Sequence, residues 1–222
     1  MKNQRSDKCK AALFDLDGVV FDTEPQYTVF WGGECRRYHP DHPGLEHEIK
    51  GQTLTQIYER WFSGPLMAER EAVTARLNEF ELNMRFDYVR GFEDFLARLR
   101  RCDIRTAVVT SSNRAKMEAV LRQRPELTQW FDAILTSEDC AESKPSPDCY
   151  LRGAARLGAE PADCIVMEDS FNGLRAGRAS GARVVGLATT NTAEEIATLC
   201  DIVVADYTDP ELWEFIAHPI TL

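Results

Sequence analysis

Long apolar runs are missing from this 222-residue chain. No stretch approaches the ~18 consecutive apolar residues of a membrane-spanning helix. Met1 to Lys10 is polar where a secretory leader carries an apolar segment. No membrane association is expected, and a cytoplasmic location is. Basic residues are in deficit, 26 against 36 acidic ones, for a net charge of −10. That balance argues against non-specific nucleic-acid binding and leaves any anionic substrate dependent on local cations. The seven cysteines are scattered, odd in number and without a Cys-x-x-Cys pair. Neither a disulfide framework nor a zinc site is suggested, and reduced thiols are expected. Histidines are few; His39, His42 and His47 sit in or beside a Pro/Gly-rich loop and read as solvated surface. Internal repeats and low-complexity segments are absent.

What remains is an ordinary globular composition, 44% hydrophobic and 28% charged, of a length that suits one large domain or a domain carrying an insert. The apolar run Ala11 to Phe14 reads as a buried strand that ends in Asp15 and Asp17, followed by Gly18. Two anions at the end of an apolar strand are costly unless something cationic meets them. A hard divalent cation fits, because Mg²⁺ takes oxygen ligands from one or two carboxylates and shares itself with phosphate.

Residues 25 to 85 carry helical patterns over Pro25 to Arg37, Leu54 to Phe62 and Pro65 to Met84, and no convincing strand. From Gly91 onward, helices alternate with strands. Phe92, Phe95, Leu96 and Leu99 form one apolar helix face. Strands are predicted over Ile104 to Val109, Phe131 to Leu135, Cys164 to Met167, Arg183 to Leu187 and Ile202 to Val204. Helices are predicted over Lys116 to Gln123, Pro147 to Leu157, Leu174 to Ala179 and Ala193 to Leu199, with Gly181 as a stop. Such alternation implies an α/β fold with a parallel sheet.

Ligands of such sheets collect beyond the carboxyl ends of the strands. The polar residues there form one chemical set: Asp15 and Asp17, then Thr110, Ser111 and Ser112, then Glu168 and Asp169, with Lys144 between. The set suits phosphoryl transfer. Asp15 is the expected nucleophile and Asp17 the acid/base. Thr110 and nearby backbone N–H groups are expected to bind phosphate oxygens, and Lys144 to neutralise charge. Mg²⁺ is expected on Asp15, Asp17 through its backbone carbonyl, and Asp169, with Glu168 behind them. Thr110 and Ser112 also read as helix N-caps.

These segments, in this order, resemble the haloacid dehalogenase superfamily over nearly the whole chain. Phe21-Asp22-Thr23-Glu24-Pro25, Ser143-Lys144-Pro145-x-Pro147-Asp148 and Glu168-Asp169-Ser170-x-x-Gly173 resemble the branch that holds β-phosphoglucomutase and small phosphatases. The resemblance implies a Rossmann-like core over 1–21 and 89–222 and a mobile helical cap over 22–88. It also implies Mg²⁺-dependent phosphomonoester chemistry on a small phosphorylated metabolite and a monomeric state. Hinges are then expected near Phe21 to Thr23 and Arg85 to Gly91. Lys50, Gly51, Thr53, Tyr27 and Trp31 are the expected substrate contacts. Two departures stand out. Tyr27 occupies a place where relatives often carry histidine, and Leu54 occupies one where the mutase carries a phosphate-gripping arginine. Hydrolysis is therefore preferred to a mutase reaction, with Arg76 or Arg85 as possible replacements for the missing cation. A signalling receiver domain fits poorly, since its phosphorylated aspartate follows the third strand.

Overall fold

A computed structural model describes residues 9–217. Residues 1–8, most of the polar N-terminal stretch that lacks an apolar leader segment, lie outside them. Six parallel strands form one sheet in the order β3-β2-β1-β4-β5-β6. They are β1 (Ala11–Phe14), β2 (Arg105–Val109), β3 (Ala133–Leu135), β4 (Cys164–Glu168), β5 (Arg183–Leu187) and β6 (Ile202–Val204). The order reverses beside β1, which pairs with β2 on one side and β4 on the other. A crevice outside the strand ends at such a reversal is where doubly wound sheets bind ligands.

Eleven α-helices are seen among the described residues. The first four, α1 (Glu24–Tyr38), α2 (Leu45–Glu48), α3 (Leu54–Trp61) and α4 (Arg70–Leu82), follow β1 without an intervening strand. The others are α5 (Phe92–Arg101), α6 (Arg114–Gln123), α7 (Leu127–Trp130), α8 (Asp148–Arg156), α9 (Phe171–Ser180), α10 (Ala193–Ile196) and α11 (Pro210–Ala217). The predicted continuous helix from Pro65 to Met84 is broken in two. Gly64–Glu69 winds as a 3₁₀ segment before α4 begins, because Gly64 and Pro65 suit the entry to a tight turn and not a helix interior.

Side chains on β1 alternate between two cores, as strand periodicity requires. Ala12 and Phe14 join one cluster with Phe92, Phe95, Leu96 and Leu99 of α5. Ala11 and Leu13 join another with Tyr150 of α8 and Leu174 of α9. A sheet covered on both faces needs apolar strands throughout, and every residue of β1 and β4 is buried. α1 through α4 bury a third cluster of their own, including Trp31, Cys35, Leu45, Ile57, Phe62, Val73 and Leu77. Chain leaving β1 and chain returning toward α5 run side by side. Asp22 N–H donates to Asp87 O (2.9 Å), Val89 N–H donates to Val20 O (3.1 Å), and Phe21 stacks on Tyr88.

Candidate active site

A cavity of about 460 Å³ opens at the carboxyl end of the sheet, between the strand ends and the α1–α4 block. Asp15, Asp17, Thr110, Ser111, Ser112, Lys144, Glu168 and Asp169 line its floor. Tyr27, Trp31, Lys50, Gly51 and Thr53 line its far side. The expected catalytic, metal and substrate residues therefore come together around one space, without the two alternative cations Arg76 and Arg85.

Lys144 is the hub of the floor. Its buried ammonium donates to Asp15 Oδ1 (2.5 Å), to Glu168 Oε1 (2.8 Å) and to the Val109 carbonyl (3.1 Å). Burial opposes its charge, but Asp15 and Glu168 outweigh that effect and hold the ammonium well above its usual range. Glu168 has both oxygens engaged. Tyr150 joins Lys144 on Oε1 (2.9 Å), while the N–H groups of Asp169 and Ser170 and the Ser170 hydroxyl reach Oε2 at 2.9–3.1 Å. Burial alone would raise its pKa; Lys144 holds it below the usual range. Glu168 thus acts as an anchor for Lys144 and for the turn leading into α9.

Asp15 is less comfortable. Burial, and then the Glu168 and Asp17 charges, outweigh Lys144 and push its carboxyl up to about 7. Asp169 is raised well above its usual value by burial and by the Glu168 and Asp15 charges. No group of three or more His, Cys, Asp or Glu side chains converges as a ready ligand cluster among the described residues. The donor set expected from the sequence is two carboxylates, from Asp15 and Asp169, which line the cavity, and the Asp17 backbone oxygen. It carries more negative charge than Lys144 alone relieves. Mg²⁺ suits such a set, since it keeps several waters and takes one or two carboxylates.

Two glycines make room for these acids. A Cβ on Gly18, which has φ +72°, would fall 2.1 Å from Asp169 Oδ2. One on Gly173 would fall 1.6 Å from Glu168 Oε1. Only a residue without a side chain lets each carboxylate lie where it does.

Asp17 accepts from Thr23 Oγ1 (2.7 Å) through Oδ1, and from Ser112 Oγ (3.1 Å) and the Lys116 ammonium through Oδ2. Thr110 is buried; its hydroxyl accepts from Ser112 N–H (3.0 Å). The cap of α6 is neither Thr110 nor Ser112. Asn113 takes that place, its side chain accepting from Lys116 N–H (2.9 Å). Asparagine is as good a cap, and the Ser112 hydroxyl is already committed to Asp17.

The far side is acidic. Glu24, Glu46 and Glu81 line it, with Lys50 lying 3.5 Å from Glu24. Arg76 is held by Glu34 through two hydrogen bonds of 2.8 and 2.6 Å, and neither Arg76 nor Arg85 lines the cavity. Thr53 caps α3, accepting from Gln56 N–H at 3.3 Å. Gln56 in turn accepts from Asn172 of α9 (2.8 Å), joining the two walls.

Several residues of the site escaped the sequence reading. Thr190 donates to Asp169 Oδ2, and Asn191 donates to the Asp169 carbonyl (2.9 Å). The strand-end rule, applied to β5, points to this Thr189-Thr190-Asn191-Thr192 turn. Lys116 and Tyr150 carry no such signal, since each sits inside a helix.

A family profile described as hydrolase, haloacid dehalogenase-like hydrolase, matches residues 9–181. The chain is 30% identical over 207 residues to the validoxylamine A 7'-phosphate phosphatase of Streptomyces hygroscopicus subsp. limoneus, covering 90% of this chain and 95% of that one. It is also 30% identical over 191 residues to hexitol phosphatase A of Escherichia coli (strain K12), covering 81% and 83%. A bifunctional riboflavin kinase/FMN phosphatase of Arabidopsis thaliana is 25% identical over 222 residues; the match covers 96% of this chain but 57% of that longer protein. Among solved structures, a HAD hydrolase, family IA, variant 3, from Entamoeba histolytica HM-1:IMSS matches with a TM-score of 0.78 and 22% identity, over 93% of this chain and 97% of that one. That likeness shows a shared fold.

Proposed function

The chain belongs to the haloacid dehalogenase-like hydrolases, and from that premise we propose that it is a Mg²⁺-dependent phosphatase that hydrolyses a small phosphorylated metabolite, a sugar phosphate, through an aspartyl phosphate on Asp15. The observation that carries this reading is the Lys144 clamp. The ammonium holds Asp15, a residue of the cavity floor, by Oδ1, and among the described residues no hydrogen bond reaches Oδ2.

Asp15 Oδ2 attacks phosphorus as the bond to the leaving oxygen breaks, and Asp17 gives that oxygen a proton. Asp17 then takes a proton from water, which attacks the aspartyl phosphate, releasing phosphate and restoring Asp15. Thr110, Ser111 and Ser112 bind and orient the phosphoryl oxygens, and Lys144 offsets their charge. Asp15, the Asp17 carbonyl and Asp169 would hold Mg²⁺, which would supply further charge neutralisation at those oxygens. Residues 22–88 act as the cap that excludes water, around a core of 1–21 and 89–222, and Lys50, Gly51, Thr53 and Tyr27 face the rest of the substrate.

The cations support hydrolysis over a mutase reaction. Among the described residues, Lys50 and Lys144 are the lysines and arginines that line the cavity, and Lys50 is close to Glu24. A mutase must grip a second phosphate, whereas this far wall is acidic. The sugar reading draws on hexitol phosphatase A and on the mixed polar and apolar wall of Asn78, Gln52 and Trp31.

The test is phosphate release from a panel of phosphorylated sugars, nucleotides and glycolytic intermediates, with and without Mg²⁺, beside Asp15→Asn. Metal-dependent release abolished by Asp15→Asn is expected. Turnover of β-glucose 1-phosphate only with a bisphosphate primer, with no phosphate released from any compound, would overturn the reading.

A further inference from the structure

Lys116 breaks two local rules. It sits in the first turn of α6, where the helix dipole disfavours a cation, and its side chain is 2% exposed. Local choices that contradict the surrounding structure concentrate at functional sites.

Its partners give the reason. The ammonium donates to Asp17 Oδ2 and to Tyr27 Oη, the latter at 2.6 Å. The Tyr27 hydroxyl accepts that bond and donates its own proton to Glu81 Oε1 at 2.8 Å. Lys116 also lies 5.0 Å above the Tyr27 ring. Asp17 follows β1, Lys116 lies on α6, Tyr27 on α1 and Glu81 on α4. The chain of contacts thus runs from the cavity floor into the helical block that forms its far wall. Thr23 and Ser112 complete the ring of donors around Asp17. Oδ1 thus meets Thr23, and Oδ2 meets Ser112 and Lys116.

We propose that Lys116 is a positioning residue: held by Tyr27 and Glu81, it fixes the Asp17 carboxyl group so that its protonated form delivers a proton to the leaving-group oxygen and its ionised form then takes one from water. The proposal rests on the phosphatase reading above. It assigns Tyr27 a second role beside lining the cavity. The tyrosine at this position serves the lysine, since its hydroxyl accepts from the ammonium while it donates to Glu81.

A group that acts through proton delivery matters most when the leaving oxygen is basic. The experiment therefore compares 4-nitrophenyl phosphate, whose leaving group needs little protonation, with phenyl phosphate, whose leaving group needs much more. Lys116→Met is expected to lower kcat on phenyl phosphate at least ten times more than on 4-nitrophenyl phosphate, with KM little changed for either. Lys116→Arg should restore part of that selectivity. Tyr27→Phe keeps the ring against Phe80 and removes both hydroxyl bonds, and should show the same bias at smaller size, about threefold. Equal losses on both esters in Lys116→Met and in Tyr27→Phe would mean a merely structural role and overturn the proposal while leaving the phosphatase reading intact. No hydrolysis of either ester by the unmodified enzyme would instead bring down the phosphatase reading, and the proposal with it.

Discussion

Gly173 and Glu168 share one volume. The Glu168 carboxylate occupies the space a side chain at 173 would fill, 1.6 Å from an ideal Cβ to Oε1 and 2.3 Å to Oε2. The acid needs that place because Oε1 there meets Lys144 and Tyr150 while Oε2 meets the turn before α9.

Gly173→Ala should therefore act at a distance on catalysis. The methyl group forces Glu168 aside, and Lys144 loses one of its two carboxylate partners. A misplacement near 1 Å at a reacting group can lower turnover by ~10²-fold, and overpacking of a dense site costs about 1–3 kcal/mol of stability. Both effects are expected, read by phosphate release and by thermal unfolding. Activity unchanged in a folded Gly173→Ala protein would contradict the proposed role of the Glu168–Lys144 pair.

Lys144→Met separates stability from chemistry. It leaves Asp15 and Glu168 buried without their shared cation, and removing one partner of a buried ion pair typically costs about 3–5 kcal/mol. At this chain length that corresponds to roughly 6–20 °C in Tm. Adding Glu168→Gln should return part of the stability, because one uncompensated charge is gone, but none of the activity. Recovery of phosphate release in the double variant would show that Lys144 serves folding alone.

Much of this architecture was readable because its signals are local. The strands β5 and β6 coincide with their predicted bounds, and α5 buries the predicted Phe92, Phe95, Leu96 and Leu99. The three strand-end clusters were legible because an apolar strand ending in polar or charged groups conflicts with burial unless chemistry needs it, whereas Lys144 stood out through the family resemblance alone. Lys116 was not legible: a lysine in a helix is ordinarily solvated, and only the tertiary meeting of α6 with Tyr27 and Asp17 gives it a buried place. Arg76 failed as a substrate cation for a related reason. Its partner Glu34 lies 42 positions away on α1, a contact that no periodicity reports.

That Arg76–Glu34 pair supports a sharp prediction about the second-phosphate question. Glu34 is 9% exposed on its side chain and receives both Arg76 bonds, at 2.8 and 2.6 Å. Arg76→Ala strands this buried acid, at a cost of about 1–3 kcal/mol, and removes one of the two bonds of the Tyr38 hydroxyl (3.0 Å), which still donates to Glu69 (2.9 Å). A lower Tm with KM for monophosphates unchanged is expected. A several-fold rise in KM confined to bisphosphates would make Arg76 a substrate ligand and revive the mutase reading.

Stability of the metal-free protein should fall as pH rises through the weakly acidic range. The Asp15 carboxyl is pushed up to about 7 from an ordinary 3.8, by burial and the Glu168 and Asp17 charges, and Asp169 is raised in the same direction. Between pH 4 and 7 the unfolded chain has released the Asp15 proton while the folded one retains it. The unfolded state then binds fewer protons, and linkage makes unfolding easier with each step upward. The favourable contribution is complete below pH 4 and lost by the time pH passes 7. A divalent cation on Asp15 and Asp169 cancels that loss, because it favours both ionised carboxylates. Mg²⁺ should therefore raise Tm more at pH 7.5 than at pH 5.5, and Asp15→Asn should reduce both the pH slope and the Mg²⁺ increment. Differences between the parent protein and Asp15→Asn remove the contributions of groups elsewhere. An Mg²⁺ increment that is the same at both pH values, and the same in Asp15→Asn, would mean that the cation binds somewhere other than this pair of acids.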